Sequence, residues 1–313
     1  MTELLLRRCM PLKRSLGRRF LRTAAAVPGF SVPPAVNVPP HIVRPSYADD
    51  PKGVPRPLQE PAYAEVKDLE GINGMRVACK VAANALALAR KIAVVGVTTA
   101  EVDRAVSDYI ISQNAYPAGI NYHGFPRSLC ASVNEVALHG VPNTRPLQSG
   151  DIVNFDVVTF IGGYFGDCSA MVKVGEVDDK AAHLVDTTKA CLDGAVALVR
   201  PGLPLNAIGD FCSDFAKQHG YGVVHQFCGH FIGATMHQRP YVMHVPHKVD
   251  MPLLEGMTFT IEPVLTEDES GDLVESDLDD GWTMVSKGAG WSAQWEHTIL
   301  VTADGVEILT LPD

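Results

Sequence analysis

Three features of this 313-residue chain predict an α+β fold made of two halves related by a pseudo-two-fold axis. Segments with helical apolar spacing are followed by short β-runs, and that order occurs twice. A repeat holds its register at an offset of 106 residues: Val95-Gly96-Val97-Thr98-Thr99-Ala100-Glu101-Val102 aligns with Pro201-Gly202-Leu203-Pro204-Leu205-Asn206-Ala207-Ile208, and Ser107-Asp108-Tyr109 with Ser213-Asp214-Phe215. At the same offset Gly150 meets Gly256, and Asp156 meets Glu262, so each half ends its matched segment on a carboxylate. The strands are expected to be mostly antiparallel, with the helices on one face and the carboxylates meeting in the cleft between the halves.

The elements follow in order. Residues 1–26 hold seven Arg/Lys against Glu3 alone, a basic and acid-poor composition expected of a mitochondrial transit peptide. The other reading is a basic arm that binds acidic surfaces. Ten prolines between residues 28 and 61 exclude helix and interior strand, so residues 27–63 are expected to be an extended linker or strap. The main folded domain is expected over residues 64–313. Ile72, Met75, Cys79, Ala82, Leu86 and Ala89 recur at spacings of three and four, marking one apolar face of a long helix. Thr98 and Glu101 form a capping box for a second helix reaching about Asn114. In the second half, Ala181 to Val199 reads as helix, stopped by Pro201-Gly202, and Ala207 to Gln218 as the next. Gly162-Gly163 and Asp304-Gly305 mark turns between β-runs.

Composition narrows the class of function. Hydrophobic residues make up 46% of the chain, enough for a sizeable core, and no apolar run reaches 18 residues, so no membrane span is expected. Without its first 26 residues the chain's formal charge falls from −10 to −16, which argues against nucleic acid as the main partner. The seven cysteines are scattered, with no Cys-x-x-Cys pair, so neither a zinc knuckle nor a disulfide framework is indicated.

Asp156, Asp167, His230, Glu262 and Glu296 sit in or beside strand-like, glycine-bounded segments. A carboxylate buried in an apolar β-run is costly unless a cation or hydrogen bonds compensate it. Oxygen-rich ligation with one imidazole favours divalent Mn, Co, Fe or Zn at a hydrolytic site over a structural zinc. Four carboxylates supply enough oxygens to bridge and chelate two ions, which lower the pKa of water toward about 7. Taken singly, each acid is as readily explained by ordinary structure.

From about Glu65 to Leu311 the chain resembles the type I methionine aminopeptidases, and most their mitochondrial branch. The resemblance is carried by Asn121-Tyr122-His123-Gly124-Phe125-Pro126, Asn134-Glu135-Val136-Ala137-Leu138-His139-Gly140-Val141-Pro142, Gly150-Asp151-Ile152-Val153-Asn154-Phe155-Asp156, Gly166-Asp167-Cys168-Ser169, Gly229-His230-Phe231-Ile232-Gly233, Thr260-Ile261-Glu262-Pro263 and Ala293-Gln294-Trp295-Glu296-His297. It implies the pita-bread fold, with a curved sheet and helices on its outer face, and two divalent ions per subunit. Asp167 and Glu296 would bridge the ions, Asp156 would chelate one, and His230 with Glu262 would complete the other. Glu262 would also accept a proton from the attacking water. His237 would contact the scissile carbonyl or amide, and His139 the amide nitrogen. Tyr122, Phe125, Cys130, Met236 and Trp282 match the positions that line the methionine slot. Nascent or short peptides would be the substrates, with the ribosome nearby and the enzyme a monomer; cytoplasm or plastid are the alternative compartments. Prolidase-like Xaa-Pro peptidases and non-catalytic peptide-binding modules share the fold. The former carry a large extra N-terminal domain, and the latter lose ligands that this chain keeps. Phe231 stands where the family has glycine, and it is expected to crowd the groove and narrow the acceptable second residue.

Overall fold

The computed structural model describes residues 29–56, 64–278 and 280–313. Among them, helices α1 (Leu69–Ile92), α2 (Thr99–Ser112), α3 (Asp179–Leu198) and α4 (Asn206–Gln218) appear as two pairs. The strands are β1 (Tyr116–Pro117), β2 (Leu129–Val133), β3 (Val136–Leu138), β4 (Ile152–Ile161), β5 (Tyr164–Lys173), β6 (Gly222–Val223), β7 (Gly229–Phe231) and β8 (Gln238–Val242). They continue as β9 (Thr258–Ile261), β10 (Val264–Thr266), β11 (Leu273–Glu275), β12 (Met284–Ser286), β13 (Ser292–Gln294), β14 (His297–Val301) and β15 (Val306–Ile308). Every named strand pair is antiparallel.

The helices form where the sequence signals them. Asp68 caps α1 by accepting from Gly71 N–H at 2.9 Å, and Arg90 and Lys91 lie in its last turn against the negative end of the helix dipole. The buried face of α1 is largely small, including Ala78, Cys79, Ala82, Ala85 and Ala89, so its backbone lies directly on the β4–β5 hairpin. Gly166 of β5 is part of this fit, since a Cβ there would come within 2.4 Å of the Ala78 carbonyl carbon. Thr98 and Glu101 make the expected capping box on α2. The Gly162-Gly163 turn joins β4 to β5 with both residues at positive φ, 62° and 89°.

The 106-residue offset recurs as hydrogen bonding. Gly96 N–H donates to Leu147 O and Gly202 N–H to Leu253 O, both at 2.8 Å. The return bonds, Leu147 to Val97 and Leu253 to Leu203, keep the same offset, as do the isolated bridges Thr98 with Pro146 and Pro204 with Pro252. Each half has its own core. One gathers Leu86, Val106, Leu129, Val153 and Phe155; the other gathers Leu192, Ile208, Phe231, Phe259 and Ile299. Trp295 packs against both and donates its indole N–H to Val185 O at 3.1 Å. In the first half, β4 carries β5 on one edge and β1 and β2 on the other; in the second, the order is β15-β14-β9-β7-β8.

Residues 29–56 contain turns but no helix or strand, as their prolines require. They strap the first half. Thr144 N–H donates to Ser31 O at 3.0 Å, and the buried Arg127 guanidinium donates to Pro33 O and Pro34 O at 2.6 and 2.7 Å. The basic segment 1–26 lies outside the described residues.

Candidate metal centre and substrate cleft

Strand alternation places the predicted ligands. The β4–β5 register sets Asp156 opposite Ser169 and Val158 opposite Asp167, so the two aspartates are diagonal neighbours on one face. In the other half Phe231 of β7 stands opposite Phe259 of β9, and alternation turns His230, Thr260 and Glu262 to the opposite side. Glu296 lies between β13 and β14, where its N–H donates across the halves to Ser169 O at 3.0 Å. Nearby, Thr298 Oγ1 donates to Asp167 O at 2.7 Å and Asn154 Nδ2 to Gln294 O at 2.9 Å. These bonds stitch the two halves together at the predicted ligands.

Asp167, His230 and Glu296 offer ligand atoms that all lie within 4.8 Å of one another, and all three residues are buried. His230 Nε2 is 3.7 Å from Asp167 Oδ2 and 3.6 Å from Glu262 Oε1. Its Nδ1 is 3.2 Å from Phe231 O, a contact that makes Nδ1 the donor and leaves the Nε2 lone pair facing the carboxylates. Asp156 is a direct neighbour of Asp167, and Glu262 of Glu296, with their carboxyl groups close enough to perturb one another. All five predicted ligands are therefore brought together.

Burial sets the electrostatics of this group. Desolvation pushes Asp156 up to about 7 and Glu262 up to about 8. It holds Asp167 and Glu296 well above the usual carboxylate range, where the neighbouring acids add repulsion. Four acids so placed cannot all carry charge without a counter-cation. Asp156 Oδ1 and Asp167 Oδ1 are buried and accept no hydrogen bond, although buried carboxylate oxygens ordinarily find a donor. The oxygen-rich donor set, its orphaned oxygens and one correctly turned imidazole fit divalent metal.

Three supporting residues escaped the sequence reading. Thr260 Oγ1 donates to Glu262 Oε1 at 2.8 Å and accepts from His230 N–H at 3.0 Å. Gln294 Nε2 donates to Glu262 Oε2 at 3.3 Å, and His244 Nε2 accepts from Glu262 N–H at 3.0 Å. Thr260 was legible in retrospect, since a residue two before a strand ligand shares its face. Nothing local marked His244.

The predicted substrate residues fall into two adjoining groups. Phe125 meets Trp282 edge-on at 5.2 Å, and His139 lies 6.3 Å from Trp282 and 5.1 Å from Phe227, a further wall residue. The Tyr122 hydroxyl meets His237 Nδ1 at 2.6 Å, and the His237 ring stands 4.3 Å from that of His230. Met236 is buried in the cluster that also contains Tyr47 and Phe165, with Tyr122 packed on it. Cys130 of β2 is the cross-strand partner of Asp156. Burial lowers His139 to about 4 and His237 well below the ordinary imidazole value, so both rings are neutral near pH 7.

Phe231 corrects an expectation. It does not crowd the groove, because alternation points it away from His230, where it stacks on Phe259 at 5.1 Å with no exposed surface. Its backbone is not among the positive-φ positions, so glycine's conformational freedom is not needed there.

Residues 73–303 match the profile of Metallopeptidase family M24. The chain belongs to that family. Among curated M24 relatives it is 46% identical over 283 residues to "Methionine aminopeptidase 1D, mitochondrial" of Danio rerio, covering 90% of this chain and 82% of the relative. Among solved structures, methionine aminopeptidase from Rickettsia prowazekii superposes with a TM-score of 0.77 at 39% identity, covering 80% of this chain and all of that one. Prolidase from Pyrococcus furiosus, at 22% identity and a TM-score of 0.63 over 79% of this chain, shares the fold. The M24 assignment agrees with the buried Asp/His/Glu group and with the pita-bread arrangement of two α+β halves.

Proposed function

We propose that this M24 chain is a methionyl aminopeptidase that removes N-terminal methionine from nascent proteins and short peptides. The observation that carries the reading is the convergence of Asp167, Glu262 and Glu296 on buried His230, with Asp156 beside Asp167 on the same face of the β4–β5 hairpin. In this reading Asp156, Asp167, His230, Glu262 and Glu296 would together hold two divalent ions. The ions would supply Lewis acidity, making water a nucleophile at neutral pH and polarising the scissile carbonyl.

The chain's own residues supply the rest. Glu262 takes the proton of the attacking water, its two oxygens oriented by Thr260 Oγ1 and Gln294 Nε2. His237 and His139, neutral because buried, donate hydrogen bonds to the peptide without adding positive charge to the metal pocket. Tyr122, Phe125, Cys130, Met236 and Trp282 receive the methionine side chain; soft and aromatic walls suit an unbranched thioether. The mitochondrial assignment rests on the basic residues 1–26 together with the naming of the Danio rerio relative. The enzyme is taken to act as a monomer near the ribosome.

Turnover of Met-Ala-X against Xaa-Pro-X peptides, with Mn, Co, Fe and Zn added in turn, tests the assignment. Faster cleavage of the proline peptides would overturn it in favour of a prolidase-like activity. Metal analysis should find close to two ions per chain; no retained divalent ion would point to a binding module. Glu262→Gln should lower turnover about 10²–10⁴-fold, the scale of general-base catalysis, with the circular dichroism unchanged. Undiminished turnover would remove Glu262 from its role.

A further inference from the structure

The turn that carries Tyr122 is held in an unfavourable backbone conformation by the strap. Asn121, His123 and Gly124 have φ of 62°, 50° and 85°, so three of four consecutive residues are left-handed and two of them are not glycine. Such a conformation persists only where its surroundings over-determine it. Residues 47–53 of the strap do this. Asn121 Nδ2 donates to the carbonyls of Tyr47, Ala48 and Asp50 at 3.0, 3.2 and 2.9 Å. His123 N–H donates to Gly53 O at 2.8 Å. Gly53, at φ 64°, lies so close that a Cβ would fall 1.7 Å from Asn121 O.

The contact continues through side chains. Tyr47 is 1% exposed, and its hydroxyl donates to Ala118 O at 2.5 Å, just ahead of the turn. Its ring meets Tyr122 edge-on at 5.1 Å and stacks on Phe165 at 6.5 Å. Tyr122 in turn places its hydroxyl 2.6 Å from His237 Nδ1.

We propose that strap residues 47–53 are a working part of the substrate site, clamping the Asn121–Tyr122 turn so that the Tyr122 hydroxyl donates to His237 Nδ1 and fixes the proton on Nε2. His237 then presents an N–H donor, rather than a lone pair, to the peptide. Tyr47 and Asn121 are positioning residues, and the Tyr122 hydroxyl, on a ring that also lines the methionine slot, acts through His237. A tyrosine hydroxyl on one ring nitrogen decides which tautomer the other shows, as a second partner does for ligand histidines. The inference rests on reading His237 as the residue that contacts the scissile peptide.

The test has two arms. In metal-free protein with ¹⁵N-labelled histidine, the His237 resonances, assigned by their loss in His237→Gln, should report the Nε2–H tautomer. Tyr122→Phe, which keeps the ring, should give a mixture of tautomers. In the metal-loaded enzyme Tyr122→Phe should lower kcat on a Met-Ala-X peptide about 10–100-fold, as loss of a supporting partner does, with KM within twofold. Tyr47→Leu should reproduce that fall in kcat, Tyr47→Phe should restore it to near the wild-type value, and Tyr47→Leu should add little in the Tyr122→Phe background. Gly53→Ala, which displaces the strap without touching either ring, should act like Tyr47→Leu. An unaltered His237 tautomer in Tyr122→Phe would overturn the proposal, as would additive losses in the double variant. The tautomer arm decides the inference even if the wild type fails to turn over methionine peptides, a result that would instead sink the proposed function.

Discussion

Asp151 immediately precedes β4, the strand that carries Asp156, and among the described residues it is the most heavily hydrogen-bonded carboxylate outside the candidate metal centre. Arg145 grips it with two bonds, Nη1 to Oδ2 at 2.8 Å and Nη2 to Oδ1 at 3.1 Å. Gln148 N–H donates to Oδ2 at 2.8 Å and Asn134 Nδ2 to Oδ1 at 2.9 Å. Arg145 and Asp151 side chains are 9% and 6% exposed, so the pair is screened little by water. Asp151→Asn keeps the shape but replaces one acceptor oxygen by an amide donor. Two of the four bonds are lost, donor faces donor, and Arg145 is left buried with its charge uncompensated. Breaking a buried pair from one side costs about 3–5 kcal/mol. For a domain of this size that is a fall in Tm of about 6–20 °C. Thermal unfolding at pH 7, followed by circular dichroism, reads it directly.

The pH dependence adds a second check. Desolvation alone would raise the Asp151 pKa, but the bonds from Arg145, Gln148 N–H and Asn134 outweigh it and hold the group below its usual value. A carboxyl depressed in the folded state stabilises above its unfolded pKa of about 3.9, and that contribution is lost as pH falls through the folded value. The gap between wild type and Asp151→Asn should therefore stay level from pH 7 to about 4 and close below that. Arg145→Met combined with Asp151→Leu should recover part of the loss, since an apolar pair leaves no charge stranded. A variant melting within about 2 °C of wild type at pH 7 would show that the pair contributes no more than a surface bridge.

Three further outcomes follow from the site. Phe231→Gly should cost about 3–5 kcal/mol in urea unfolding, as deleting a buried aromatic does, with the preference among second substrate residues unchanged; a broadened preference would return Phe231 to the groove. Gln294→Ala removes the donor on Glu262 Oε2 and should weaken metal affinity or turnover about 10–100-fold, read by metal titration and steady-state kinetics; wild-type values in both would make the bond incidental. In chelator-treated protein the raised Asp156 and Glu262 bind protons that the unfolded chain has released. Stability should therefore fall as pH rises from about 4 toward the folded values of about 7 and about 8, and added divalent ion should abolish that slope. A flat profile without metal would mean the acids are not crowded as described.

The sequence by itself determined the repeat, the helix pairs and the residues proposed as metal ligands. The 106-residue offset was legible because the same short turns and caps are needed wherever the same backbone ladder is built, and Gly96–Leu147 and Gly202–Leu253 show that ladder twice. Asp156, Asp167, Glu262 and Glu296 stood out because acids are expensive inside β-runs, and His230 as the one imidazole beside them in a glycine-bounded segment. What only the tertiary structure decided was which way side chains face and what meets across the halves. Phe231 read as an obstruction in the linear sequence and proved to be core, because strand alternation against Phe259 turned it away. Gln294 and His244 acquired roles only once β13 and the segment after β8 converged on Glu262. The strap's grip on Tyr122, and the 115-residue separation between Tyr122 and His237, leave no local trace, since short-range patterns encode faces and periods but not distant partners.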